Sequence, residues 1–501
     1  MIPARLHHLF FPAAVFFLLI LSTIYLVHKP SFPGIQRLQA AKTETWQHPL
    51  EQHGSNRSQD NEVLQLLQLT SNFEYRRQCI KAEPTRGLSR QSLVNVTWPL
   101  SAEPIQARLD RLDEATDPIL PPCQTSYPLQ VPAPDIDRTI NTGSLILGAA
   151  TDLKRLNGSL SEMSRWLANT NARLVVLLRD QPESSAIDAV QQKAERLHMN
   201  VTIVSDPNQN QGEAQSNFGL ARLLYSHRTP ETKWYGVMDD DTFFLSLNKV
   251  LQALAHYDTS KSWYVGTLGE RHFGVSAEGM MAFGGAGMFF SPPLLETIAE
   301  HTEECMSLAG KHGDLLWRDC LIQYTSPTVQ LTKLPGLNQL DIFDDPAGWY
   351  ESGQNPILTL HHWKSWYSFP VHIAHLVSDV AGVDSFLQRY QLADDLILTN
   401  GFSLVQYPNG LPDLKLVEGT FVPWPGSQWP EPAREFVDSF GKLRPALEEG
   451  KDKISWRFEH AVKTEHGCVR QFYVKRATSY QTHEARDSQR DSVIEIDWCS
   501  S

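Results

Sequence analysis

The segment Trp-Tyr-Gly-Val-Met-Asp-Asp-Asp-Thr-Phe-Phe, residues 234–244, places three consecutive aspartates between two hydrophobic runs. The apolar run before them predicts a buried strand. We therefore expect Asp239, Asp240 and Asp241 to lie at the edge of a hydrophobic core. Adjacent carboxylates repel one another unless a positive charge lies among them. A divalent cation meets this need, because it prefers carboxylate oxygens and leaves positions open for phosphate oxygens. The hydrophobic flanks therefore favour a metal–phosphate site over a solvated acidic loop.

Upstream of the triplet, apolar runs alternate with helical stretches. These patterns predict strands and helices in alternation over residues 144–150, 159–170, 173–178, 184–197, 201–204, 214–226 and 234–238. Such an order is typical of a mostly parallel sheet with right-handed crossovers, in which ligands bind beyond the carboxyl ends of the strands. A dinucleotide-binding protein is disfavoured, because residues 148–155 lack Gly-x-Gly-x-x-Gly and the chain has no Walker A sequence.

The sequence thus predicts an α/β domain, a mostly parallel sheet with flanking helices, over residues 143–380. Beyond this point the pattern changes. Strands are predicted at residues 396–407, 415–421, 468–475 and 492–498. We therefore expect a small β-rich C-terminal extension at residues 381–501.

Two segments after the triplet supply further candidates. Residues 283–290, Phe-Gly-Gly-Ala-Gly-Met-Phe-Phe, contain three glycines in four positions, which lets the backbone approach a ligand closely; a glycine-rich hairpin tip is the alternative. Residues 312–322, His-Gly-Asp-Leu-Leu-Trp-Arg-Asp-Cys-Leu-Ile, contain the candidate acids Asp314 and Asp319. Either acid could instead lie on a helix surface or act as an N-cap.

A pair of histidines closes a later strand. The segment Leu-Thr-Leu-His-His-Trp-Lys-Ser-Trp, residues 358–366, contains His361 and His362 beside Trp363. Most histidines bind no metal, but imidazole nitrogen is a common ligand of transition metals. Because this pair and the aspartate triplet both lie within the predicted α/β domain, residues 143–380, we expect it to contribute to the same site.

The N-terminal region contains a hydrophobic run. Residues 9–27 carry no charge and are long enough for a bilayer, which needs roughly 20 apolar residues. We expect an uncleaved anchor rather than a signal peptide, because no small-x-small cleavage site follows. This predicts a cytosolic tail at residues 1–8, a transmembrane anchor at 9–27 and a stem at 28–142. The stem is expected to have little core of its own and allows a helix at residues 62–79.

Cysteines and sequons agree with a lumenal body. Six cysteines allow three disulfides, and proximity in the sequence favours Cys79–Cys123, Cys305–Cys320 and Cys468–Cys499. Sequons for N-glycosylation occur at Asn56, Asn95, Asn157 and Asn200. A net charge of −13 argues against a nucleic-acid partner, since nucleic acid calls for basic surfaces.

In order along the chain, these motifs resemble the fringe-like glycosyltransferases of family 31, most closely their fungal and plant branch. The resemblance covers roughly residues 143–375. It implies a Rossmann-like GT-A fold and a metal-dependent UDP-sugar hexosyltransferase that uses Mn²⁺ or another divalent cation. It further implies an inverting transfer to a glycan or glycoprotein acceptor, commonly with a β1,3 linkage. A Golgi or ER membrane protein with a type II anchor and a lumenal catalytic domain is expected.

The resemblance also implies roles for individual residues. By position, Asp241 matches the direct metal ligand, supported by Asp239, and one of His361 and His362 matches the second ligand. The residues implied in donor binding are Asp239, Asp240, Gly285, Ala286 and Gly287.

Asp319 matches the catalytic base of the family. The family motif usually has two adjacent acids at this point, whereas here Arg318 precedes Asp319, so Asp314 is the alternative base. Three alternative functions are less consistent with these motifs than a transferase. An inactive lumenal glycan-binding protein of the same fold would not need the metal triplet. A structural Ca²⁺ site would show alternating Asp-x-Asp-x-Asp ligands, and a hydrolase would show more histidines near the acids.

Overall fold

The computed structural model describes residues 56–100, 103–111, 123, 125–133, 140–206, 212–308, 313–354, 356–422, 436–477 and 490–500. Within these ranges no helix is long and apolar enough to cross a membrane. The predicted cytosolic tail and anchor, residues 1–27, lie outside the described residues.

The described strands are, in chain order, β1 Asn72–Thr85, β2 Leu93–Asn95, β3 Ile105–Arg108, β4 Ser126–Pro132, β5 Leu145–Thr151, β6 Arg173–Leu178, β7 Val201–Ser205, β8 Trp234–Val237, β9 Phe243–Phe244, β10 Tyr264–Gly266, β11 Met288–Phe290, β12 Leu331–Lys333, β13 Phe343–Asp344, β14 Thr359–Leu360, β15 Arg389–Leu392, β16 Leu396–Thr399, β17 Ser403–Gln406, β18 Val417–Gly419, β19 Phe421–Val422, β20 Leu443–Pro445, β21 Ile454–Lys463, β22 Val469–Lys475 and β23 Asp491–Ser500. The described α-helices are α1 Asn56–Leu66, α2 Leu153–Leu167, α3 Ser184–Arg196, α4 Glu213–Ser226, α5 Leu247–Leu254, α6 His272–Glu278, α7 Pro292–Glu300, α8 Thr302–Met306, α9 Gly313–Tyr324, α10 Ala347–Tyr350, α11 Val371–Ala374, α12 Ser378–Ala381 and α13 Val437–Phe440.

One sheet contains seven strands in the order β12-β10-β11-β8-β5-β6-β7. β5 pairs in parallel with β6 and β8, and β6 pairs in parallel with β7. β11 is antiparallel to both β8 and β10, so β8 and β10 run in the same direction. The predicted α/β fold with a mostly parallel sheet and flanking helices is confirmed, and it agrees with the GT-A class that the resemblance implies.

The sheet forms because its strands are apolar on both faces. Alternating side chains such as Tyr235 and Val237 lie in a buried cluster with Phe218 of α4 and Trp317 of α9. Side chains on the opposite face, such as Val176, are fully buried as well. Runs that are apolar at every position are typical of parallel strands covered on two sides. The prediction from the sequence therefore succeeded best in this region.

Helix α2 begins at Leu153, earlier than the predicted start at Ser159. The Leu153 N–H has no partner within its own helix, and it donates to Asp180 Oδ1 at 3.1 Å. A carboxylate at a helix N-terminus satisfies an orphan amide and stabilises the helix dipole. Asp180 follows β6, so the capping group comes from the neighbouring strand connection and leaves no local signal.

A second sheet joins the two ends of the described chain. Its order is β2-β15-β16-β17-β21-β22-β23-β1-β3. β4 also pairs with β1, in parallel, along residues 79–85. β1 and β23 run parallel, from Phe73 opposite Asp491 to Ala82 opposite Ser500. The C-terminal region is β-rich as predicted, but its strands share one sheet with residues 72–132.

Part of the expected stem therefore belongs to a folded core. The helix allowed at residues 62–79 is wrong, because α1 ends at Leu66 and β1 begins at Asn72. Phe73 and Tyr75 are fully buried. On one edge of β1 their partners in β23 lie about four hundred residues further along the chain, a separation at which local sequence patterns carry no signal. On the other edge they pair with β3.

All three disulfides favoured by sequence proximity are present. The pairs are Cys79–Cys123, Cys305–Cys320 and Cys468–Cys499, and no cysteine is left free. The first ties β1 to the segment that leads into β4. Three disulfides are typical of an oxidising compartment.

We expect Arg77→Met to lower the free energy of unfolding by about 2 kcal/mol, because it removes the nearer of the two arginines that face a buried carboxylate and leaves Arg470 Nε at 3.7 Å. Arg77 Nε lies 2.8 Å from Oε1 of Glu495, whose side chain is fully buried between β1 and β22. Denaturant-induced unfolding would measure the change. The neighbouring variant Arg76→Met is the control, since alternate side chains of a strand point to opposite faces. Equal effects of the two variants would contradict the role of β1 in the core.

Candidate active site

The aspartate triplet follows β8, the central strand of the seven-stranded sheet, at its carboxyl end. The Asp239 N–H donates to Thr242 Oγ1 at 3.0 Å, and Thr242 Oγ1 donates to Gly285 O at 2.8 Å. These two bonds fold the motif into a turn and attach it to the glycine-rich segment. The acids therefore lie at the edge where ligands of parallel sheets bind.

Pairing of β9 with β14 brings a histidine to the triplet. The two strands are antiparallel, with Phe243 opposite Leu360, so the acids before β9 and the histidines after β14 leave the pair at the same end. His361 Nε2 lies 3.1 Å from Asp241 Oδ1 and 3.5 Å from Asp239 Oδ2. Residues about 120 positions apart in the sequence thus meet at one point.

The orientation of His361 is set by its second ring nitrogen. Nδ1 donates to Gln339 O at 3.0 Å, since a backbone carbonyl only accepts, and Nε2 is left facing the carboxylates. Burial lowers the pKa of His361, but Asp241 and Asp239 outweigh burial and raise this pKa well above its usual value. Burial likewise raises the pKa of Asp241, and His361 outweighs it to hold that pKa well below its usual range. Both acids stabilise a positive charge here.

His362 has both ring nitrogens near other partners. Nδ1 lies 2.9 Å from Ser365 Oγ, and Nε2 lies 3.2 Å from Asp341 Oδ1. The distance from His362 Nδ1 to Asp241 Oδ2 is 4.0 Å, longer than the contact made by His361. Burial, followed by the charge of His361, lowers the pKa of His362 to about 4. Asp241, His361 and His362 nevertheless form one buried group with ligand atoms within 4.8 Å of one another.

The middle acid is held by two cations. Arg155 Nη2 lies 2.7 Å from Asp240 Oδ1, and Lys364 Nζ lies 2.7 Å from Asp240 Oδ2. Burial raises the pKa of Asp240, but Lys364 and Arg155 outweigh burial and lower it. Asp239 differs, because 43 % of its side chain is exposed. Of these two predicted donor-binding acids, Asp239 is the one whose oxygens are accessible.

The glycine-rich segment lies between two candidate residues. A Cβ at Gly285 would lie 2.1 Å from His361 Cε1, so only glycine fits beside that ring. A Cβ at Gly284 would lie 2.9 Å from Asp314 Oδ1, and the Gly284 N–H donates to the same oxygen at 3.0 Å. Close approach of the backbone to His361 and Asp314 therefore explains the glycines better than a hairpin tip.

The next two residues complete the turn into β11. Ala286 O accepts a hydrogen bond from Thr359 Oγ1 at 2.8 Å, which attaches the turn to the strand that precedes the histidines. Gly287 has a φ of +92°, a conformation that favours glycine. The predicted residues Gly285, Ala286 and Gly287 are all buried at the site.

Asp319 does not have the surroundings predicted for a base. Arg318 Nη2 lies 2.6 Å from Asp319 Oδ1, and Arg318 Nε lies 2.8 Å from the same atom. The Arg318 side chain also donates to Glu278 O, which holds it against its neighbour. A catalytic base is expected to have no lysine or arginine ion pair, and Asp319 does not meet this expectation. Adjacent helical side chains diverge by about 100°, but the length of arginine bridges that angle.

Asp314, the alternative base, lies against the site. Its carboxylate accepts the Gly284 N–H and is near enough to Asp239 and Asp341 for their charges to act on it. Burial, followed by the charge of Asp239, raises the pKa of Asp314 to about 7. Part of the residue remains exposed. A carboxyl group with these properties is suited to general-base catalysis near neutral pH.

Three residues that bind the predicted acids and histidines were not identified from the sequence. Arg155 follows β5 at the carboxyl edge of the sheet, so the topology rule for parallel sheets could have identified it. Lys364 lies within the quoted histidine segment but matches no short motif. Asp341 lies in an irregular segment after β12, beside Leu340 with a φ of +58°, and no sequence signal marks it.

Two solved glycosyltransferase structures are similar to part of the chain. The galactosyltransferase LgtC, in complex with donor and acceptor sugar analogs, has a TM-score of 0.30 and 12 % identity over 45 % of this chain and 87 % of that chain. The mannosyltransferase PcManGT from Pyrobaculum calidifontis, in complex with GDP-Man and Mn²⁺, has a TM-score of 0.27 and 11 % identity over 41 % of this chain and 58 % of that chain. These TM-scores are too low to support an inference about this chain.

Sequence families give more specific matches. Residues 186–326 match the fringe-like family, and residues 275–402 match a protein family of unknown function, DUF604. Beta-1,3-glucosyltransferases of Mus musculus and Homo sapiens are each 26 % identical over 159 and 160 residues, which are 31 % and 32 % of this chain. The chain spans about a third of the length of these relatives. The closeness to the fungal and plant branch stays a prediction. These matches confirm the resemblance to fringe-like glycosyltransferases, which the family model places over residues 186–326.

Proposed function

We propose that this protein transfers a sugar, with inversion, from a UDP-sugar to a glycan or glycoprotein hydroxyl, and that the product has a β1,3 linkage. The convergence of Asp241, Asp239 and His361 Nε2 at the carboxyl end of the central strand supports this most strongly. Similarity to beta-1,3-glucosyltransferases supports the linkage.

Asp241 and His361 are the proposed ligands of Mn²⁺ or another divalent cation, with Asp239 contributing from the accessible side. Carboxylate oxygen and imidazole nitrogen suit such an ion. The hydrogen bond from His361 Nδ1 to Gln339 O is the kind of support that ligating histidines receive. When bound, the cation supplies charge neutralisation for the departing diphosphate. His362, held by Asp341 and Ser365, is proposed to support the ligands.

Asp240, Arg155 and Lys364 are proposed to shape the donor side. The two cations neutralise Asp240, so the triplet presents less negative charge to an incoming diphosphate. Arg155 has 46 % of its side chain exposed. A guanidinium group in this position can donate to a phosphate oxygen while it remains paired with Asp240.

Asp314 is the proposed catalytic base, in place of Asp319. An inverting displacement needs one carboxylate to take the proton of the acceptor hydroxyl, because the leaving diphosphate needs no proton. Asp314 is the acid beside the glycine-rich turn that has no lysine or arginine partner within the described residues. Asp319 Oδ1 is occupied by the Arg318 guanidinium, which leaves it less available to an acceptor hydroxyl.

We further propose a Golgi or ER location with the catalytic domain in the lumen. Three disulfides agree with an oxidising compartment. The sequon residues Asn95, Asn157 and Asn200 are all exposed. Attachment to the membrane through residues 9–27 stays a prediction, since that segment lies outside the described residues.

The proposed reaction is tested with the protein and a panel of UDP-sugars in the presence of Mn²⁺, with release of UDP as the readout. We expect turnover of at least one UDP-sugar, and no turnover after chelation or in Asp241→Asn, because either change removes the metal site. Thermal unfolding of the variant is the control for folding. Binding of glycans without turnover of any UDP-sugar would instead favour the inactive glycan-binding protein.

Two matched variants test the base. Asp314→Asn should reduce the transfer rate by roughly a thousandfold, because general-base catalysis contributes about 10²–10⁴-fold, while binding of UDP-sugar persists. Asp319→Asn should retain most of the rate. Since the base acts deprotonated and its pKa is raised to about 7, transfer by the unmodified protein should fall as pH drops below that value. Loss of transfer in Asp319→Asn alone would restore the original assignment.

A further inference from the structure

A cavity of about 420 Å³ lies near the candidate active site. Its walls come from residues 267–275 after β10, residues 333–338 after β12, and residues 438–440 of α13. Trp349, Gln354 and Pro356 complete the lining. The volume lies within the range of small-molecule sites, about 300–1,000 Å³. The C-terminal region, which the proposed reaction does not otherwise use, thus contributes one wall.

The topology places this cavity at the same edge of the sheet as the acids. Because β8 and β10 run in the same direction, the turn after β10 and the triplet after β8 share the carboxyl edge. The cavity lies on the side of β8 opposite to β5, β6 and β7. Arg155, which follows β5, lies on that other side. The order of the strands therefore separates the cavity from the side proposed for the donor diphosphate.

One side chain connects the cavity to the metal cluster. The Asp341 N–H donates to Glu270 Oε2 at 3.2 Å, and Arg271 Nη2 lies 3.6 Å from Asp341 Oδ2. Glu270 and Arg271 both line the cavity. Asp341 also contacts His362 Nε2 at 3.2 Å. A molecule in the cavity that contacts Glu270 or Arg271 would therefore be separated from the proposed metal site by Asp341 and His362.

The lining combines apolar surface with carboxylates. Apolar side chains are contributed by Val275, Pro335, Leu337, Trp349 and Phe440. The polar groups include Glu270, which is buried at the cavity and bonded to backbone amides rather than to a cation within the described part of the chain. Its carboxyl oxygens can still accept hydrogen bonds from hydroxyl groups.

Charged groups of both signs line the cavity, since Lys333 and Arg271 lie there with Glu270 and Asp438, and this mixture suits the hydroxyls of a neutral polyol. Asp438 adds a second carboxylate at the cavity and pairs with His272, with Nδ1 to Oδ2 at 2.9 Å. The Arg271 guanidinium faces the Asp341 carboxylate, which compensates part of its positive charge. A saccharide has apolar C–H faces that suit the hydrophobic wall and hydroxyls that suit Glu270 and Asp438.

We propose that this cavity binds the acceptor saccharide, and that α13 of the C-terminal region selects which saccharide fits. The inference rests on the proposed transfer function. It assigns the acceptor to a site built jointly by the α/β domain and the C-terminal region. Asp438, Ser439 and Phe440 form one wall of the cavity. The shape of this wall would determine which saccharide fits.

Val275→Trp tests the inference, because a larger side chain at this half-buried lining position fills the cavity. The indole would occupy space that the saccharide needs, so binding should weaken by about tenfold or more. The control is Ala277→Trp, an exposed position of the same helix that does not line the cavity. Asp438→Ala is a second variant, since its side chain is 75 % exposed and its loss does not threaten folding.

Binding is measured on the full protein without UDP-sugar, by saturation-transfer NMR with methyl glycosides of glucose, galactose, mannose and N-acetylglucosamine. We expect at least one glycoside to bind the unmodified protein, Ala277→Trp and Asp241→Asn alike, and to bind Val275→Trp and Asp438→Ala more weakly. Absence of binding to the unmodified protein, or equal binding to Val275→Trp, would overturn the inference.

Kinetics separate this result from the proposed reaction. Val275→Trp should raise KM for the acceptor and leave KM for the UDP-sugar and acceptor-free UDP release unchanged. An equal rise in KM for the UDP-sugar would overturn the acceptor assignment, because it would place the donor in the cavity. Saccharide binding that is lost in Val275→Trp, together with no turnover of any UDP-sugar, would contradict the transfer reaction while confirming the site.

Discussion

The contact of His361 with the carboxylates of Asp239 and Asp241 is the interaction on which the rest of the site depends. Two acids at the end of a buried strand repel each other, and the fold places a group between them that can be positive or can share a cation. The antiparallel pairing of β9 with β14 creates this contact, and Gly285 leaves room for the imidazole ring. Removing any one of these elements would leave buried charge uncompensated.

The surrounding acids are distinguished by the cations that face them. Asp240 has Arg155 and Lys364, and its pKa is lowered against the effect of burial. For Asp341, hydrogen bonding to His362 and the charge of Arg271 also lower the pKa against burial. Asp314 has no such partner among the described lysines and arginines, and burial raises its pKa. The cleft and the adjoining cavity therefore contain acids that stay ionised and two acids, Asp314 and Glu270, whose pKa burial raises to about 7.

Sequence analysis identified the parts of this arrangement that are carried by short motifs. The aspartate triplet, the glycine-rich segment and the paired histidines are each contiguous, and the apolar runs of β5, β6 and β8 show that they belong to one parallel sheet. Arg155 and Asp341 were missed because they enter the site through the fold rather than through a motif. Asp319 matched the base by its position in the sequence, but in the structure it forms an ion pair with Arg318. This ion pair depends on side-chain conformation, which motif spacing does not determine.

The ends of the chain show the same limit. β1 has the alternating apolar pattern of a strand, but its partner β23 is at the other end of the chain, so composition alone predicted a stem. Three disulfides were predicted correctly because each pair is near in sequence. The joint sheet places the C-terminal region beside the catalytic domain, where α13 reaches the cavity.

The most direct test of the account is the position of a bound metal, located by anomalous X-ray scattering in crystals of the protein soaked with Mn²⁺ and UDP. The account predicts one manganese peak about 2 Å from a carboxylate oxygen of Asp241 and from Nε2 of His361, with His362 outside the coordination sphere. A manganese ion bound by His362 instead of His361, or one bound away from Asp241, would contradict the central claim.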